Sequence, residues 1–495
     1  MTGIGYKKMS SSASVPLIRP SVFRQVTDFA NVFKAFIGTN WIGLPFAFKQ
    51  SGIVLGCVGI LIIALITDHC CQLIIKCKKA AVQIVLDSAA PKSGDVESQD
   101  TDMADMRNTV EKRMFFGEIG RIALGKKGVF LVNAALLATQ YGFCIGYFIF
   151  LGNTITSMFP TPHNSSISTS TTAKSHVNYH PPAFALLILV PLIPLILFSY
   201  IRSIRKLGPV SFVANVALLV AFVSVVGYML SGLKFKLKEI KLSNWATFPV
   251  FFGQVTSAYE GIGTLIPIET SMAENRHRFP LYLHFAVGSL SVILGCFGIL
   301  GYTVYGEEVD QIVTESFPSG VLIQVVRCLL CFAILLTYPL QVFPVIEIIE
   351  GWLFTTDCNT AVEISTNIDS ESSEASVALQ ASETSWLLAP EIPKQKSLAR
   401  KWKKNLLRTF IVLTTAGIAI ALKDDFAYVS AIVGSIGSAT LGFILPCVFH
   451  LVLCKDSNTR LIKVKDCLFI AFGIIGGVVG VTITIKQIVQ QFTKS

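Results

Sequence analysis

Long runs of apolar residues constrain this chain more than any other feature. Segments 183–199, 209–233 and 466–485 carry at most one charge each, over about the 18 residues that a helix needs to cross the hydrocarbon core of a bilayer. Charged residues make up 15% of the sequence, whereas soluble domains contain about 25%. A soluble core would need a charged surface that these segments lack, so the sequence predicts an all-α polytopic membrane protein.

Hydropathy predicts about 11 transmembrane helices. The predicted spans are 27–50, 53–77, 128–159, 182–201, 208–232, 247–272, 280–305, 318–352, 405–423, 427–453 and 464–488. They divide the chain into an N-terminal tail (1–26), helices 1–8 (27–352), a flexible loop (353–404), helices 9–11 (405–488) and a C-terminal tail (489–495). An odd number of spans places the two tails on opposite sides of the membrane.

The uneven distribution of Lys and Arg predicts the orientation, because cytosolic loops carry an excess of both. Loops 78–127 and 353–404 are rich in basic residues, whereas loop 160–181 is nearly free of them. The chain opens without an apolar leader, so the first span is expected to act as its own signal and to leave the N-terminus in the cytosol. The net charge of +10 therefore reflects topology, and no nucleic-acid partner is expected.

Two of the predicted cytosolic segments, 87–106 and 355–399, are rich in Ser, Thr, Asp and Glu and poor in aromatic residues. This composition predicts that both are unstructured. Residues 111–125 are expected to form a surface helix that leads into the third span.

Two spans contain residues that interrupt helices. The first contains Ile37-Gly38-Thr39-Asn40-Trp41-Ile42-Gly43-Leu44-Pro45, and the sixth contains Ser257-Ala258-Tyr259-Glu260-Gly261-Ile262-Gly263, followed by Pro267. Gly and Pro are poor helix formers, and broken backbone at membrane depth is tolerated where it is buried in protein or lines a cavity. Two breaks five spans apart predict an inverted repeat with a binding site between them. Kinks that only help helices to pack are the alternative.

The two breaks also indicate a class of ligand. N–H groups freed at a half-helix N-terminus suit a carboxylate, whereas freed carbonyl groups and Glu260 suit an ammonium group. A small amino acid presents both groups. An ionisable residue inside a span costs about 2.5–3.5 kcal/mol on insertion scales, so we expect Glu260 to contact substrate or to take up a proton. A permanent pair with a cation such as Lys34 is the alternative.

Short motifs recur along the spans in the order of one known family. They are Ile37-Gly38-Thr39, Gly43-Leu44-Pro45, Ser51-Gly52-Ile53-Val54-Leu55-Gly56, His69-Cys70, Gly142-Phe143-Cys144, Phe251-Phe252-Gly253, Tyr259-Glu260-Gly261-Ile262-Gly263, Phe279-Pro280-Leu281, Thr337-Tyr338 and Val433-Gly434-Ser435. Together they resemble the proton-coupled amino acid transporters of the amino acid/auxin permease group. The resemblance covers nearly all of the membrane core. It implies a LeuT-like fold of five plus five inverted helices, with helices 1 and 6 broken and one helix added. It also implies proton-driven symport of small neutral amino acids, such as glycine, alanine or proline.

The sequence departs from the family at the first break. Ala35-Phe36 stand where the family has Gly-Asn, and Asn40 stands where it has Gly, followed by the bulky Trp41. Asn31 stands where animal members carry a His that is linked with proton coupling. Sodium-coupled or passive carriage of amino acids is therefore kept as an alternative, as is an amino-acid sensor that signals through its cytosolic loops.

The breaks and the resemblance together predict the site. The predicted substrate-binding residues are Gly38, Thr39, Asn40, Trp41, Gly43, Ser257, Tyr259, Glu260, Gly261, Tyr338 and Ser435. Glu260, His69 and Glu269 are predicted to serve proton coupling or gating, with Glu269 paired to Arg276 or Arg278. A solvated helix end is the alternative for Glu269, and plain helix packing is the alternative for His69, Tyr338 and Ser435. The sequence contains no nucleophile–base pair, metal cluster or dinucleotide fingerprint, so no cofactor, metal or enzymatic activity is expected.

Three short motifs concern the location of the protein. Asn164-Ser165-Ser166 is a glycosylation sequon in the predicted outer loop. Glu383-Thr384-Ser385-Trp386-Leu387-Leu388 is an acidic dileucine pattern, and Tyr6-Lys7-Lys8-Met9 is a tyrosine-type sorting pattern. Clathrin adaptors bind such patterns on extended cytosolic segments, so the two favour an endosomal or lysosomal membrane over the plasma membrane.

Overall fold

The computed structural model describes residues 22–36, 38–89, 96–159, 183–202, 204–232, 235–318, 320–354, 398–455 and 458–494. The regular structure of those ranges is helical, which confirms the all-α class. The helices are α1 (Val22–Ala35), α2 (Leu44–Ser51), α3 (Ile53–Ala89), α4 (Val96–Arg113), α5 (Phe116–Leu124), α6 (Lys126–Thr156), α7 (Phe184–Ser199), α8 (Ile204–Ser231), α9 (Phe248–Ala258), α10 (Ile262–Ser271), α11 (Phe279–Tyr305), α12 (Val321–Phe354), α13 (Leu398–Ala421), α14 (Phe426–Val433), α15 (Leu445–Leu453) and α16 (Arg460–Lys494).

Within these ranges, eight helical stretches are long and apolar enough to cross a membrane. Helix α7 is a shorter apolar helix, and the pairs α1/α2 and α9/α10 occupy the predicted first and sixth spans, each interrupted near its middle. Side chains such as Val190 and Ile475 stay more than 60% exposed, which suits contact with lipid. The chain is therefore a polytopic membrane protein, while the count of eleven spans, the inverted repeat and the orientation stay predictions.

The centre of the bundle is a contact between backbones. A Cβ built at Gly434 would lie 1.8 Å from the Gly253 carbonyl oxygen, so α9 and the π-helical turn Gly434–Ser438 touch where both lack side chains. Small residues allow such close approach between membrane helices. The Ser435 hydroxyl lies in the same contact, against Gly253 and Gly480. Ser435 was predicted to line the substrate site or to pack helices, and this position favours packing.

The segment 87–106 was predicted to be unstructured, and over its described part this is wrong. Helix α3 continues to Ala89, and α4 begins at Val96. Helix α4 ends in basic residues that suit a helix C-terminus, and Arg107 pairs with Glu111 one turn later. The surface helix predicted at 111–125 is present over Phe116–Leu124 as α5, whereas 111–113 belong to α4 and the helix is interrupted at 114–115. Loop 78–127 is therefore largely helical in its described part.

Candidate functional site

The first break lies between α1 and α2. Helix α1 ends at Ala35, and a short 3₁₀ turn, Asn40–Gly43, precedes α2, so that Gly38 and Thr39 stand outside regular helix. The Asn40 amide Nδ2 donates to the Ser257 carbonyl oxygen at 3.1 Å and reaches the Ser257 hydroxyl at 3.4 Å. The first break is thus joined directly to the sixth span.

The second break lies between α9 and α10. Residues Tyr259–Gly261 are not helical, and α10 begins at Ile262. A Cβ at Gly261 would lie 2.7 Å from the Ala35 carbonyl oxygen, so glycine is required because the two breaks touch there. Both predicted interruptions are therefore present, and they meet inside the bundle.

The two breaks enclose a cavity of about 130 Å³, which we call the central cavity. Helices α6 and α12 complete its wall. The lining residues are Ala35, Gly38, Thr39, Asn40, Leu136, Gln140, Phe143, Tyr147, Ser257, Ala258, Glu260, Gly261, Gly263, Thr264 and Gln341. Gly38, Thr39, Asn40, Ser257, Glu260 and Gly261 were predicted to bind substrate, and the structure brings these six together.

The central cavity carries one anionic side chain. Glu260 is partly buried, and the lining set contains no Lys, Arg or His. Lys34, considered above as a partner for Glu260, is exposed and makes no ion pair with it in the described structure. Two residues after Glu260, α10 begins at Ile262, and the first N–H groups of a helix have no intrahelical acceptor. The cavity therefore offers a carboxylate to a cation and free N–H groups to an anion.

Four polar residues of the central cavity were missed in the sequence, and one of them, Thr264, lies in the first turn of α10. Gln140 and Tyr147 come from α6 and Gln341 from α12, and the Gln341 amide donates to the Tyr147 hydroxyl at 3.4 Å. The Gln140 Oε1 atom is buried without a partner in the described structure. Glutamine within an apolar span is itself a signal, since a polar side chain there tends to face a cavity.

Trp41 and Gly43 were predicted to bind substrate, and both lie away from the central cavity. The Trp41 ring packs edge-on against Phe222 and Phe297, at centroid distances of 5.0 and 5.2 Å. In a 3₁₀ turn neighbouring residues point about 120° apart, so with Asn40 on the cavity Trp41 faces α8 and α11. Gly43 lies against Gln254, whose amide donates to the Gly43 carbonyl oxygen at 3.3 Å.

The two predicted tyrosines also lie elsewhere. Tyr338 is fully buried, its hydroxyl 3.0 Å from that of Thr415 and its ring edge-on to Phe148. The Tyr259 hydroxyl donates to Ser291 at 2.6 Å, and its side chain borders a smaller neighbouring cavity. Both tyrosines therefore fix helix positions in this conformation.

His69 and Glu269, the other predicted coupling residues, lie outside the central cavity. The His69 ring packs edge-on to Phe469 at 5.4 Å, which favours the packing interpretation. Glu269 is 1% exposed and accepts from Lys78 at 2.6 Å and from Arg276. Pairing with Arg276 was predicted, whereas Lys78 was missed; Arg278 instead donates to Gln25 at 2.7 Å.

Arg276 extends this set of ion pairs to α4, the helix that lies in the predicted cytosolic loop 78–127. Arg276 Nη1 donates to Glu111 at 2.5 Å, so Lys78, Glu269, Arg276 and Glu111 join α3, α10 and α4. We call these four residues the inner ion cluster, because they lie at the predicted cytosolic end. A buried pair in good geometry is costly to break from one side, since the remaining charge then stays buried.

The central cavity is accessible from the end that carries the inner ion cluster. Gly38 and Thr264, which lie nearer that end of each broken span, are exposed, whereas Thr39 and Ser257 are buried. At the other end, the loop after α11 covers the first span, and the Val313 N–H donates to the Ile42 carbonyl oxygen at 3.3 Å. The described conformation is open toward the predicted cytosolic side.

The predicted glycosylation and sorting residues, Asn164, Glu383, Leu387, Leu388 and Tyr6, lie outside the described residues.

The known proteins that this chain resembles are amino acid transporters. The profile of the family described as transmembrane amino acid transporter protein matches residues 24–87 and 101–486. The chain is 26% identical to the amino acid transporter AVT3B of Arabidopsis thaliana over 94% of its own length and 93% of that relative. It is 25% identical to the vacuolar amino acid transporter 3 of Schizosaccharomyces pombe over 89% of its length, which is 55% of that longer protein. A similar match, 25% identical over 90% of this chain and 56% of the relative, is found with the vacuolar amino acid transporter 4 of Saccharomyces cerevisiae.

Proposed function

Because this chain belongs to the transmembrane amino acid transporter protein family, we propose that it carries small neutral amino acids by alternating access, with proton uptake at Glu260 as the driving step. The observation that carries the proposal is the central cavity itself. It lies between two broken helices and presents one carboxylate with no basic side chain beside it.

The lining supports a small zwitterionic substrate with an uncharged side chain. The ammonium group is placed at Glu260, and the carboxylate at the N-terminal N–H groups of α10. These two interactions use the charged group and the free helix end of the cavity. A substrate with a further charge would need a second counter-charge, and the lining set offers none.

Glu260 is the residue proposed to couple transport to protons. A carboxylate inside a span is costly when its charge is not compensated. With substrate bound, the ammonium group compensates it; after substrate leaves, a proton can do so. Such an exchange lets the empty carrier return without a buried bare charge, which is what a proton-coupled cycle requires.

The inner ion cluster is proposed to serve gating by anchoring α10. Lys78 and Arg276 hold Glu269 at the inner end of α10, whereas α1 is attached there through Asn275, which donates to Asp28 at 2.6 Å. Helix α1 is attached at the same end by Arg278 as well, which donates to Gln25 at 2.7 Å. We infer that α10 stays fixed to α3 and α4 when the inner side closes.

An acidic organelle, endosomal or lysosomal, is the proposed location, with the plasma membrane as the alternative. The outer loops carry carboxyls with raised pKa values: burial, together with the neighbouring Asp310, raises the pKa of Glu315 to about 8, and burial raises that of Asp425 to about 6. Both are neutral at acid pH, which suits a face exposed to an acidic lumen. The vacuolar relatives support an internal membrane. Adaptor binding through Tyr6 and the 383–388 motif and glycan attachment at Asn164 stay part of this proposal.

The test is uptake of radiolabelled glycine, alanine and proline into proteoliposomes, with and without a proton gradient directed along substrate movement. We expect gradient-stimulated uptake for the wild type and its loss in Glu260→Gln. The control is Glu347→Gln, which removes an exposed glutamate of α12 outside the central cavity and should transport normally. Uptake that ignores pH and survives Glu260→Gln would refute proton coupling. Binding without uptake would favour the sensor.

A further inference from the structure

Basic residues are concentrated at the start of α13, the end of this helix that is predicted to be cytosolic. The first half of α13 contains Arg400, Lys401, Lys403, Lys404 and Arg408, and the whole helix contains no Asp or Glu. Arg202, in the connection between α7 and α8, lies against the same turns. Its Nη2 donates to Asn405 Oδ1 at 2.9 Å and to the Lys401 carbonyl oxygen at 3.3 Å.

Two of these cations are paired within the protein. Lys404 Nζ and Arg408 Nε donate to the two Glu350 carboxylate oxygens, at 2.7 and 2.8 Å. Arg408 is buried and also donates to the Ser199 carbonyl oxygen at 2.8 Å. These bonds hold the start of α13 to α12 and α7, so Lys404 and Arg408 serve helix packing.

The other cations have no counter-charge in the described structure. Arg202, Lys401 and Lys403 make no ion pair there, and we call these three residues the basic patch. Arg202 is exposed and held through Nη2, which leaves its Nε and Nη1 donors without a partner in the described structure. Helix α12 has two acidic residues, and Glu347, the one that is not paired with α13, is a single exposed charge. This end of the bundle therefore keeps an excess of positive charge.

The basic patch lies at the height of lipid headgroups. Trp402, Leu406 and Phe410 are exposed and four residues apart, so they form an apolar stripe along one face of α13. Trp402, 75% exposed, is at the charged end of this stripe, and tryptophan concentrates where hydrocarbon meets headgroups. Lys401 and Lys403 flank Trp402 in the sequence, which places their charges beside the headgroups.

We propose that the basic patch binds the headgroup of a phosphoinositide in the cytosolic leaflet. Clusters of Lys and Arg next to a membrane span attract the anionic lipids of that leaflet. Guanidinium and ammonium groups both bind phosphate oxygens, and the free donors of Arg202 are held beside the two lysines. A headgroup with several phosphates matches three cations at one point, whereas phosphatidylserine brings a single net charge. The bound lipid joins α13 to the α7–α8 connection and so stabilises their packing.

Thermal unfolding of the full chain in nanodiscs tests this site. The midpoint Tm is followed by tryptophan fluorescence in three kinds of disc. The first contains phosphatidylcholine alone, the second adds a phosphatidylinositol bisphosphate, and the third adds phosphatidylserine to the same total charge. A ligand that binds the folded state raises Tm in a saturable way. We expect the bisphosphate lipid to raise Tm further than phosphatidylserine does.

Substitutions in the basic patch should weaken this response. Arg202→Gln, Lys401→Gln and Lys403→Gln should each raise the fraction of bisphosphate lipid at half-saturation by about fivefold, the effect of removing one basic residue beside an anionic membrane surface. The triple variant should respond to the bisphosphate lipid no more strongly than to phosphatidylserine. Lys403→Gln changes a single exposed side chain, so it keeps the test decisive if the triple variant fails to fold.

A matched control removes the same charge elsewhere. Lys79, Lys455 and Lys463 are exposed, lie in segments predicted to be cytosolic and make no ion pair in the described structure. They come from α3, from α16 and from the connection before α16, away from the sequence of the basic patch. Replacing all three by Gln should leave the response to the bisphosphate lipid as in the wild type.

Three results would overturn the inference. Equal effects of the two anionic lipids on the wild type would mean that the patch responds only to surface charge. A control variant that loses the bisphosphate response as fully as the patch variant would remove the assignment to these residues. If neither lipid raises Tm, the proposed occupant is wrong, and the chain's own segment 355–397, which has more acidic than basic residues, becomes the occupant to test.

Discussion

Two glutamates on the sixth span, Glu260 and Glu269, are nine residues apart and have opposite surroundings. Glu269 is 1% exposed and bonded to Lys78 and Arg276. Glu260 lines two cavities, neither of which contains a basic side chain. A carboxylate whose charge is matched within the protein holds helices together. A carboxylate whose charge is unmatched is available to ligands, and this difference assigns structure to Glu269 and binding to Glu260.

The largest effect on stability is expected when Glu269, the paired glutamate, is removed. Glu269→Gln leaves Lys78, itself 1% exposed, without its buried counter-charge, so the free energy of unfolding should fall by about 3–5 kcal/mol. Denaturation in detergent, followed by helical circular dichroism, measures this loss. The double variant Glu269→Gln with Lys78→Met should regain part of the stability, because no buried charge is then left alone. Equal stability of Glu269→Gln and wild type would refute a structural role for the cluster.

Removing Glu260, the glutamate without a counter-charge, should have the opposite pattern of effects, with little change in stability and a large loss of substrate affinity. Glu260→Gln should leave the free energy of unfolding within about 1 kcal/mol of the wild type, because it removes a buried charge that no side chain compensates. Substrate affinity should fall by about 10- to 100-fold, the effect of losing a charged hydrogen bond to the ammonium group. Binding is measured by scintillation proximity with labelled alanine. A variant that unfolds readily but binds normally would place Glu260 among the structural residues.

The contact between the breaks can be tested with two glycines. Gly261→Ala places a Cβ 2.7 Å from the Ala35 carbonyl oxygen, an overpacking that should cost about 1–3 kcal/mol of stability and reduce uptake. Gly288→Ala in α11 is the control, since its Cβ would have no atom within 4 Å and Gly288 does not line the central cavity. If both variants transport equally, the two breaks need not touch as the structure has them.

Sequence reasoning located the breaks because their cause is local. Gly38 and Gly261 disfavour helix within a span, and the interruptions at Gly38–Thr39 and Tyr259–Gly261 follow, whereas Pro267 lies inside α10 and does not interrupt it. The ligand class followed from the same residues, because Glu260 lies within the second break.

The remaining site depends on packing that no local pattern specifies. Trp41 neighbours a cavity residue in sequence, but a 3₁₀ turn rotates it toward Phe222 and Phe297. Gln140 and Gln341 come from unbroken helices, and only tertiary packing brings them to the breaks. Lys78 was placed in a loop because the predicted second span ended at 77, whereas α3 continues to Ala89 and buries it.

A third carboxylate, Glu315 in the outer loop, extends the comparison and has the smallest expected effect. Burial and the negative charges of Asp310 and Asp424 raise its pKa to about 8, although Arg327 opposes this. Because the pKa is raised in the folded state, the folded protein favours the protonated form; this stability is complete below the ordinary pKa of 4.5 and is lost as pH rises through about 8. Tm should therefore fall between pH 5 and pH 8, and Glu315→Gln should flatten the upper part of that decline. Asp425, whose pKa is raised to about 6, should keep the lower part in the variant. Identical pH profiles for the variant and the wild type would mean that Glu315 is as well solvated in the folded state as in the unfolded one, and that the outer face is not adapted to acid through this residue.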